Sequence, residues 1–309
     1  MSKTVFMFAG QGAQYTGMAK DLYEQFPIVR ETFAEANQVI GYELEALIFS
    51  ENPKLNETQY TQPAILTVDV AIARLLIEKG IRPEAALGLS LGEYAALVIG
   101  GAIEFQAAVA LIAKRGQYMS EAAPAGTGKM VAVMNTPIDT IETICEQASE
   151  RGIVAPANYN TPQQIVIGGE VSAVDYAVEL LKAAGSKRLI ELNVSGPFHT
   201  ALLKPASEKL AKALTAVEFQ ALQLPVVSNT TAQLFETNEI SSLLTRQVME
   251  PVRFFESINT LIIKGFDTFI EIGPGKTLTG FMKKIDNSQN TYRVENIETL
   301  NTLLDIGEK

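Results

Sequence analysis

Short apolar runs of strand length alternate with longer stretches of helical spacing along most of the chain. Thr4–Phe8 and Ala85–Leu89 are two such runs, and each is followed by a turn that contains glycines. Apolar side chains recur at helical spacing in Glu93–Ile99 and Phe105–Glu121, which predicts two helices after the second strand. Strands that alternate with helices predict a mostly parallel sheet covered on both faces, which is an α/β fold.

A further helix is predicted ahead of the second strand. Pro63 is expected to open it, because proline suits the first turn of a helix, and Gly80 is expected to cap it after Lys79. The α/β pattern resumes in the last third of the chain. The elements there are Leu202–Leu214, Pro225–Ser228, Phe255–Lys264, Thr268–Ile272 and Thr277–Ile285.

The middle of the chain follows a different order of elements. In sequence they are strand Met130–Met134, helix Ile138–Arg151, strands Val154–Asn158 and Gln164–Gly168, helix Val171–Ala184 and strand Arg188–Val194. The order β-α-β-β-α-β is that of a ferredoxin-like unit. Gly126 and Gly128 flank its entrance, and Ser195-Gly196-Pro197 marks its exit. We therefore predict a hydrolase-like α/β core in residues 1–126 and 196–309, with a ferredoxin-like small domain inserted as residues 127–195.

The composition is that of a globular chain with a large core. Of its 309 residues, 47% are hydrophobic and 19% are charged. The net charge of -10 makes nucleic acid and anionic membranes poor partners, although a local basic patch for an acidic protein remains open. Cys145 is the only cysteine, so a disulfide framework is excluded and the cytoplasm is the expected compartment. One histidine and one cysteine predict no metal site.

A serine stands at the end of the second predicted strand. Gly88-Leu89-Ser90-Leu91-Gly92 fits the G-x-S-x-G pattern of a nucleophile elbow, which lies between a strand and a helix as it does here. Such a turn lifts the Ser90 hydroxyl out of the sheet. It also directs the backbone N–H of Leu91 toward the point where an oxyanion would form. The alternative is a serine that caps a helix between two packing glycines.

His199 is the only histidine in the chain and lies in a loop before a predicted helix. A serine is a weak nucleophile without a base, and an imidazole supplies one near neutral pH. A structural or solvated histidine is the alternative. No Asp or Glu lies in a recognisable orienting loop, so a backbone carbonyl or an amide side chain is left to orient the ring.

Several short motifs in order along the chain together resemble the malonyl-CoA:acyl-carrier-protein transacylases, the acyltransferases of bacterial fatty-acid synthesis. The motifs are Phe8-Ala9-Gly10-Gln11-Gly12-Ala13-Gln14, Gly88-Leu89-Ser90-Leu91-Gly92-Glu93-Tyr94, Arg115-Gly116-x-x-Met119, Gly196-Pro197-Phe198-His199 and Glu271-Ile272-Gly273-Pro274-Gly275. The resemblance extends from about Thr4 to about Ile285 and includes the inserted small domain.

The resemblance implies a role for each matching residue. Ser90 would carry the malonyl group, His199 would be the base, the backbone amides of Gln11 and Leu91 would form the oxyanion hole, the backbone carbonyl of Gln247 would hold the histidine, and Gln62 would line the site. It also implies a ping-pong reaction in which malonyl-CoA acylates the serine and the phosphopantetheine thiol of acyl carrier protein removes the acyl group.

Two further residues bear on which acyl group is selected. On sequence alone, Arg115 fits a solvated position on an amphipathic helix. The family places it at the base of the acyl pocket, where a planar guanidinium binds the free malonyl carboxylate through two parallel hydrogen bonds. Phe198 resembles the arrangement of malonyl-selecting members, because a bulky ring before the histidine would crowd an α-methyl branch.

The resemblance also indicates partners and leaves alternatives open. Malonyl-CoA and acyl carrier protein are the expected partners of a monomer without a permanently bound cofactor. Lys283 and Lys284 are either a solvated helix face or a docking site for the acidic carrier. The alternatives are a discrete acyltransferase that serves a polyketide synthase, a serine thioesterase or other hydrolase, and a non-catalytic carrier-protein adaptor.

Overall fold

The structure, a computed structural model, describes residues 3–124, 126–192 and 196–307. The strands in these residues are β1 (Thr4–Phe8), β2 (Ala85–Gly88), β3 (Gly128–Met134), β4 (Val154–Thr161), β5 (Gln164–Glu170), β6 (Arg188–Glu191), β7 (Thr268–Ile272) and β8 (Asn290–Val294). They form two sheets, one parallel and one antiparallel.

The helices pack against the two sheets. They are α1 (Lys20–Gln25), α2 (Pro27–Ile40), α3 (Leu44–Ile48), α4 (Thr58–Glu78), α5 (Gly92–Ile99), α6 (Phe105–Ala122), α7 (Ile138–Ala148), α8 (Val171–Ala183), α9 (Lys204–Leu214), α10 (Ile240–Gln247), α11 (Phe254–Ile263), α12 (Thr277–Ile285) and α13 (Ile297–Gly307). Short 3-10 turns lie at Pro53–Asn56, Ser149–Arg151, Ala201–Leu203 and Thr237–Glu239.

The parallel sheet has the strand order β2-β1-β7-β8. Its central strands, β1 and β7, are buried at every residue but the first, as expected for a parallel sheet that helices cover on both faces. In its register, Phe8 pairs with Gly88 on one side and with Ile272 on the other. The carboxyl ends of these three strands therefore meet at one edge, where the loops that follow them are brought together.

Helix α4 runs through the core of the large domain and was predicted only in part. It is long and apolar enough to cross a membrane, but 83% of its most apolar stretch is buried inside the protein. The prediction that Pro63 opens this helix is wrong, because α4 begins at Thr58 and contains the proline. The first turn of α4 lies close to Gly116 of α6. A Cβ at Gly116 would be only 2.8 Å from the Gln59 Cα atom, so glycine permits this contact.

The antiparallel sheet has the order β4-β5-β3-β6, which is that of a ferredoxin-like unit. One face packs against α7 and α8 through Val131, Val133, Ile165 and Ile167. The opposite face joins the core of the large domain through Met130, Ala132 and Val166. The predicted fold class, an α/β core with a smaller ferredoxin-like unit, is confirmed. The boundary between residues 126 and 127 stays a prediction, and Val194 and Ser195, at the other boundary, lie outside the described residues.

Other differences from the predicted elements are local. Leu89 lies just past the end of β2. Pro225–Ser228 contributes two isolated bridges, Ala86 to Val226 and Val227 to Leu234, rather than a strand. Neither β8 nor α13 was predicted. Strand β8 lies at the sheet edge with most of its residues partly exposed, so it lacks the apolar run that marks the inner strands.

Candidate active site

Ser90 lies in a sharp turn between β2 and α5 and adopts a left-handed backbone conformation with φ of 56°. The turn requires glycine on both sides. A Cβ at Gly88 would lie 1.9 Å from the carbonyl carbon of Gly92, and one at Gly92 would lie 2.3 Å from the Phe8 carbonyl oxygen. These contacts are far below van der Waals distance. The sharp turn between a strand and a helix that the sequence predicted is therefore present in the structure.

Asn229 holds this turn from the other side and was missed by the sequence analysis. Its Oδ1 accepts a hydrogen bond from the Ser90 N–H at 2.7 Å, and its Nδ2 donates to the Gly88 carbonyl at 2.7 Å. Asn229 is fully buried. The only signal in the sequence is a polar run, Ser228-Asn229-Thr230, directly after an apolar pair.

His199 is buried and its ring lies between the serine and a backbone carbonyl. Nε2 is 2.8 Å from the Ser90 Oγ, and Nδ1 is 2.7 Å from the Gln247 carbonyl oxygen. A carbonyl can only accept, so Nδ1 carries the proton and Nε2 is free to accept one. Burial first, and the nearby Arg115 charge second, lower the pKa of His199 to about 4. The imidazole is therefore neutral at physiological pH.

Arg115 is buried, so the alternative of a solvated position on α6 is wrong. Its Nη1 donates to the Gln62 Oε1 at 2.7 Å. Its Nη2 donates to the Ser90 Oγ at 3.0 Å and to the Gln247 Oε1 at 2.9 Å. Among the described residues, Nε has no hydrogen-bond partner. Burial lowers the pKa of this guanidinium, and the Tyr94 ring, whose centre is 5.5 Å away, covers it.

A buried carboxylate, that of Glu93, lies behind these groups. Glu93 belongs to one of the sequence motifs, but no role was predicted for it. Its Oε1 accepts from the Asn229 N–H at 2.5 Å, and its Oε2 accepts from the Gln247 Nε2 at 2.6 Å. Burial raises the pKa of Glu93, whereas the Asn229 N–H, the Arg115 charge and Gln247 oppose this shift.

A cavity of about 340 Å³ opens in front of the serine. Residues from both sheets and their loops line it, including Gln11, Gln62, Ser90, Leu91, Arg115, Met119, Met130, Ala132, Asn158, Asn160, Gln164, Val166, Leu192, Phe198, His199, Leu278 and Phe281. The structure thus brings together the residues predicted for the serine, the base, the oxyanion hole and the pocket. Gln247 lies behind the cavity and contacts it through His199 and Arg115.

Gln11 and Leu91, whose backbone N–H groups were predicted to form the oxyanion hole, both line this cavity. Within the described part of the chain, neither the N–H of Gln11 nor that of Leu91 has a hydrogen-bond acceptor. The Gln11 side chain is held by Thr58 at 3.0 Å and accepts from the Gln62 Nε2 at 3.4 Å. Free N–H donors beside a nucleophile are what an oxyanion requires.

Lys283 and Lys284 are exposed on α12, the helix that contributes Leu278 and Phe281 to the cavity wall. They therefore lie near the cavity but outside it. In residues 3–124, 126–192 and 196–307, no group of three or more His, Cys, Asp or Glu side chains is arranged to hold a metal ion.

The site combines a serine hydroxyl, a neutral imidazole, two free N–H groups and a buried guanidinium. These are the groups of an enzyme that transfers acyl groups through a serine. The chain belongs to the acyl transferase domain family, whose family model matches residues 5–302. The resemblance inferred from the motifs is thereby confirmed.

Relatives of known name and structure are similar over nearly the whole chain. The malonyl CoA-acyl carrier protein transacylase of Bacillus subtilis is 45% identical over 303 residues, which are 97% of this chain and 96% of the relative. A crystal structure of MCAT from Streptococcus pneumoniae has 60% identity and a TM-score of 0.97, and covers 98% of this chain and 100% of its own. A malonyl-transacylase solved in complex with a type II PKS acyl-carrier protein has 42% identity and a TM-score of 0.95, with 99% and 100% covered.

Proposed function

We propose that this protein transfers the malonyl group from malonyl-CoA to the phosphopantetheine thiol of acyl carrier protein, through a malonyl-serine on Ser90. The observation that carries the proposal is the buried Arg115 directly beside the Ser90–His199 pair. A guanidinium pairs with a carboxylate through two hydrogen bonds. A neutral acyl group would leave this buried charge without an anion in direct contact, at a cost of several kcal/mol.

The first half-reaction acylates the serine. Nε2 of His199 takes the proton from the Ser90 hydroxyl while Oγ attacks the thioester carbonyl carbon. The N–H groups of Gln11 and Leu91 stabilise the oxyanion that forms. When the tetrahedral intermediate collapses, the C–S bond breaks and His199 gives its proton to the departing CoA thiolate.

The second half-reaction reverses these steps with a different thiol. The carrier's phosphopantetheine thiol gives its proton to His199 and attacks the acyl carbon. The C–O bond to Ser90 breaks, and the serine oxygen recovers the proton from His199. CoA and the carrier protein each carry their thiol at the end of a pantetheine arm, so one cavity serves both half-reactions.

Arg115 has a donor edge suited to the malonyl carboxylate. Nε and Nη2 form one edge of the guanidinium fork, and Nε has no partner among the described residues. Nη2 donates to the Ser90 Oγ and to the Gln247 Oε1, so the carboxylate would replace the Ser90 Oγ as one of its acceptors. A carboxylate bound to this edge would hold the thioester carbonyl near the serine, which favours attack by proximity. Phe198, in the cavity wall, would crowd an α-methyl branch.

The proposed partners follow from this reaction. Malonyl-CoA is a substrate and the carrier protein brings its own phosphopantetheine, so no permanently bound cofactor is proposed. Lys283 and Lys284, on the helix that borders the cavity, are proposed to dock the acidic carrier. We propose a cytoplasmic monomer that binds neither nucleic acid nor membrane.

Intact-mass analysis after mixing with malonyl-, methylmalonyl- and acetyl-CoA tests the proposal. We expect a malonyl adduct on the wild-type protein and none on Ser90→Ala. Arg115→Ala should lose about 10²-fold or more in malonyl acylation, because a buried charge-assisted pair is absent, and should gain acetyl adduct. A malonyl adduct on Ser90→Ala, or an unchanged preference in Arg115→Ala, would refute the corresponding assignment.

A carrier protein of a polyketide synthase is the second candidate partner. It is favoured by the similarity to the malonyl-transacylase solved with a type II PKS acyl-carrier protein. Comparing malonylation rates of a fatty-acid carrier and a polyketide carrier separates the two. If free malonate forms faster than either malonyl-carrier, the protein is a thioesterase rather than a transferase.

A further inference from the structure

The buried carboxylate of Glu93 lies one helical turn after the nucleophile but does not touch the base. In many serine enzymes an Asp or Glu is hydrogen-bonded to the histidine. Among the described residues, no carboxylate side chain is hydrogen-bonded to His199, whose Nδ1 donates to the Gln247 carbonyl instead. Glu93 is 0% exposed, and each of its two oxygens receives an N–H from a different residue.

The first oxygen connects to the serine. Oε1 accepts from the backbone N–H of Asn229 at 2.5 Å. The Asn229 side chain then bonds the Ser90 N–H and the Gly88 carbonyl, both at 2.7 Å. Ser90 has a positive φ, which residues other than glycine rarely adopt, and these two bonds help to hold the turn in this conformation.

The second oxygen connects to the histidine. Oε2 accepts from the Gln247 Nε2 at 2.6 Å, and the same Nε2 donates to the Ser90 carbonyl at 2.8 Å. The backbone carbonyl of Gln247 is the group that holds the His199 ring. Fixing the Gln247 side chain therefore fixes the end of α10 that orients the base.

We propose that Glu93 is a positioning residue that sets the distance between Ser90 and His199. One of its oxygens binds Asn229, which holds Ser90, and the other binds Gln247, which holds His199. Burial raises the pKa of Glu93, but each of its oxygens faces an N–H donor, so the hydrogen bonds at this position suit the ionised carboxylate, which only accepts. Arg115 balances the buried charge across the Gln247 amide, by donating to its Oε1. The inference rests on the proposed function only in assigning Ser90 as nucleophile and His199 as base.

Glu93→Gln tests the inference with little change of shape. One end of the new amide is a donor, and it would face either the Asn229 N–H or the Gln247 Nε2, which are also donors. We expect the rate of Ser90 acylation by malonyl-CoA to fall about 10²-fold, as a small misplacement of reacting groups does. The Kd of malonyl-CoA, measured in a Ser90→Ala background, should change by less than about twofold, because the cavity wall is unaltered.

Asp69→Asn is the matched control. Asp69 is equally buried on α4, and its carboxyl has no hydrogen-bond partner among the described residues. The same isosteric change there should leave the acylation rate within about twofold. If Glu93→Gln loses no more than Asp69→Asn, or if its Kd rises in parallel with the loss of rate, the positioning role is wrong.

A second variant and a second reagent complete the test. Asn229→Ala removes the side chain that connects Glu93 to Ser90. The acylation rate of the double variant, Glu93→Gln with Asn229→Ala, should therefore fall by less than the product of the two single losses. If Glu93→Gln fails to give a native circular dichroism spectrum, Asn229→Ala alone is expected to show the same loss of rate at constant Kd. Phosphonylation of Ser90 by a small fluorophosphonate should fall in the same variants. This readout needs no acyl substrate, so it separates failure of this inference from failure of the proposed function.

Discussion

His199 differs from a typical surface histidine because it is buried beside a cation. Its ordinary pKa of 6.5 is lowered to about 4, first by burial and second by Arg115. A base that stays neutral keeps Nε2 available for the Ser90 proton over the whole physiological range. A histidine with a lowered pKa is a weaker base. This loss is offset because the ring is held in place, by the bond to Gln247 and by its 2.8 Å contact with Ser90.

An NMR titration of the imidazole checks this directly, because His199 is the only histidine. In the wild-type protein, the ring signals should stay those of the neutral form down to about pH 5. Arg115→Ala removes the second cause of the shift, so the titration should move to higher pH, toward 6.5. A wild-type midpoint near 6.5 would contradict the buried, neutral base. Circular dichroism at each pH confirms that the fold persists.

The tight contact between β2 and α5 determines the position of Ser90, the proposed nucleophile. Gly88→Ala would place a Cβ against the Gly92 backbone, which cannot move without displacing the turn. We expect a loss of about 3 kcal/mol in the free energy of unfolding, and loss of acyl-enzyme formation. Urea denaturation followed by intact-mass analysis measures both.

Gly280→Ala is the control for that substitution. Gly280 lies inside α12, and a Cβ there would meet nothing within 4 Å. Alanine in a helix interior should stabilise the protein by about 0.5–1 kcal/mol and leave acylation unchanged. Equal effects of the two substitutions would mean that the elbow is not sterically restricted.

Helix α12 links the cavity to the surface. Its Leu278 and Phe281 line the cavity, and Lys283 and Lys284 are exposed on the same helix. Replacing both lysines with Glu should raise KM for acyl carrier protein about tenfold, because like charges then face the acidic carrier. KM for malonyl-CoA should not change by more than about twofold.

The matched control reverses two lysines elsewhere. Lys79 and Lys264 are exposed and precede β2 and β7, so they lie at the amino edge of the parallel sheet, opposite the serine. Replacing them with Glu makes the same change in net charge. If this variant raises KM for the carrier equally, the effect is one of overall charge and Lys283 and Lys284 do not form a docking site.

Strands that are buried along nearly their whole length could be predicted from the sequence. Features that depend on contacts between residues far apart in the chain could not. The apolar runs of β1 and β7 gave their bounds as observed. The start of α4 was missed because proline's local preference for a first turn is overridden by packing against Gly116. Asn229 was missed because its role depends on contact with Ser90, 139 positions away, which no local pattern encodes.

At the scale of the whole molecule, the cavity lies between the two sheets. The small sheet contributes Met130, Ala132, Asn158, Asn160, Gln164 and Val166 to its wall, opposite the serine. The order β-α-β-β-α-β predicted the ferredoxin-like unit. Its position over the active site depends on packing contacts that the sequence pattern does not contain. We propose that residues 127–195 act as a separate domain whose inner face completes the acyl pocket.

Two adjacent residues of β5 test this arrangement, because they point to opposite faces of the small sheet. Ile167 is packed against the helices of the small domain, whereas Val166 joins the large core and lines the cavity. Ile167→Ala should lower the free energy of unfolding by about 2–5 kcal/mol and leave KM for malonyl-CoA unchanged in the folded protein.

Val166→Ala should instead raise KM for malonyl-CoA severalfold, because it removes two methyl groups from the cavity wall. Its effect on unfolding should be the smaller of the two, since an open cavity lies on one side of the residue and fewer packed neighbours are lost. Urea denaturation and steady-state kinetics on the same preparations measure both quantities. If the two substitutions changed KM equally, the inner face of the small sheet would have no special part in binding, and the pocket would belong to the large domain alone.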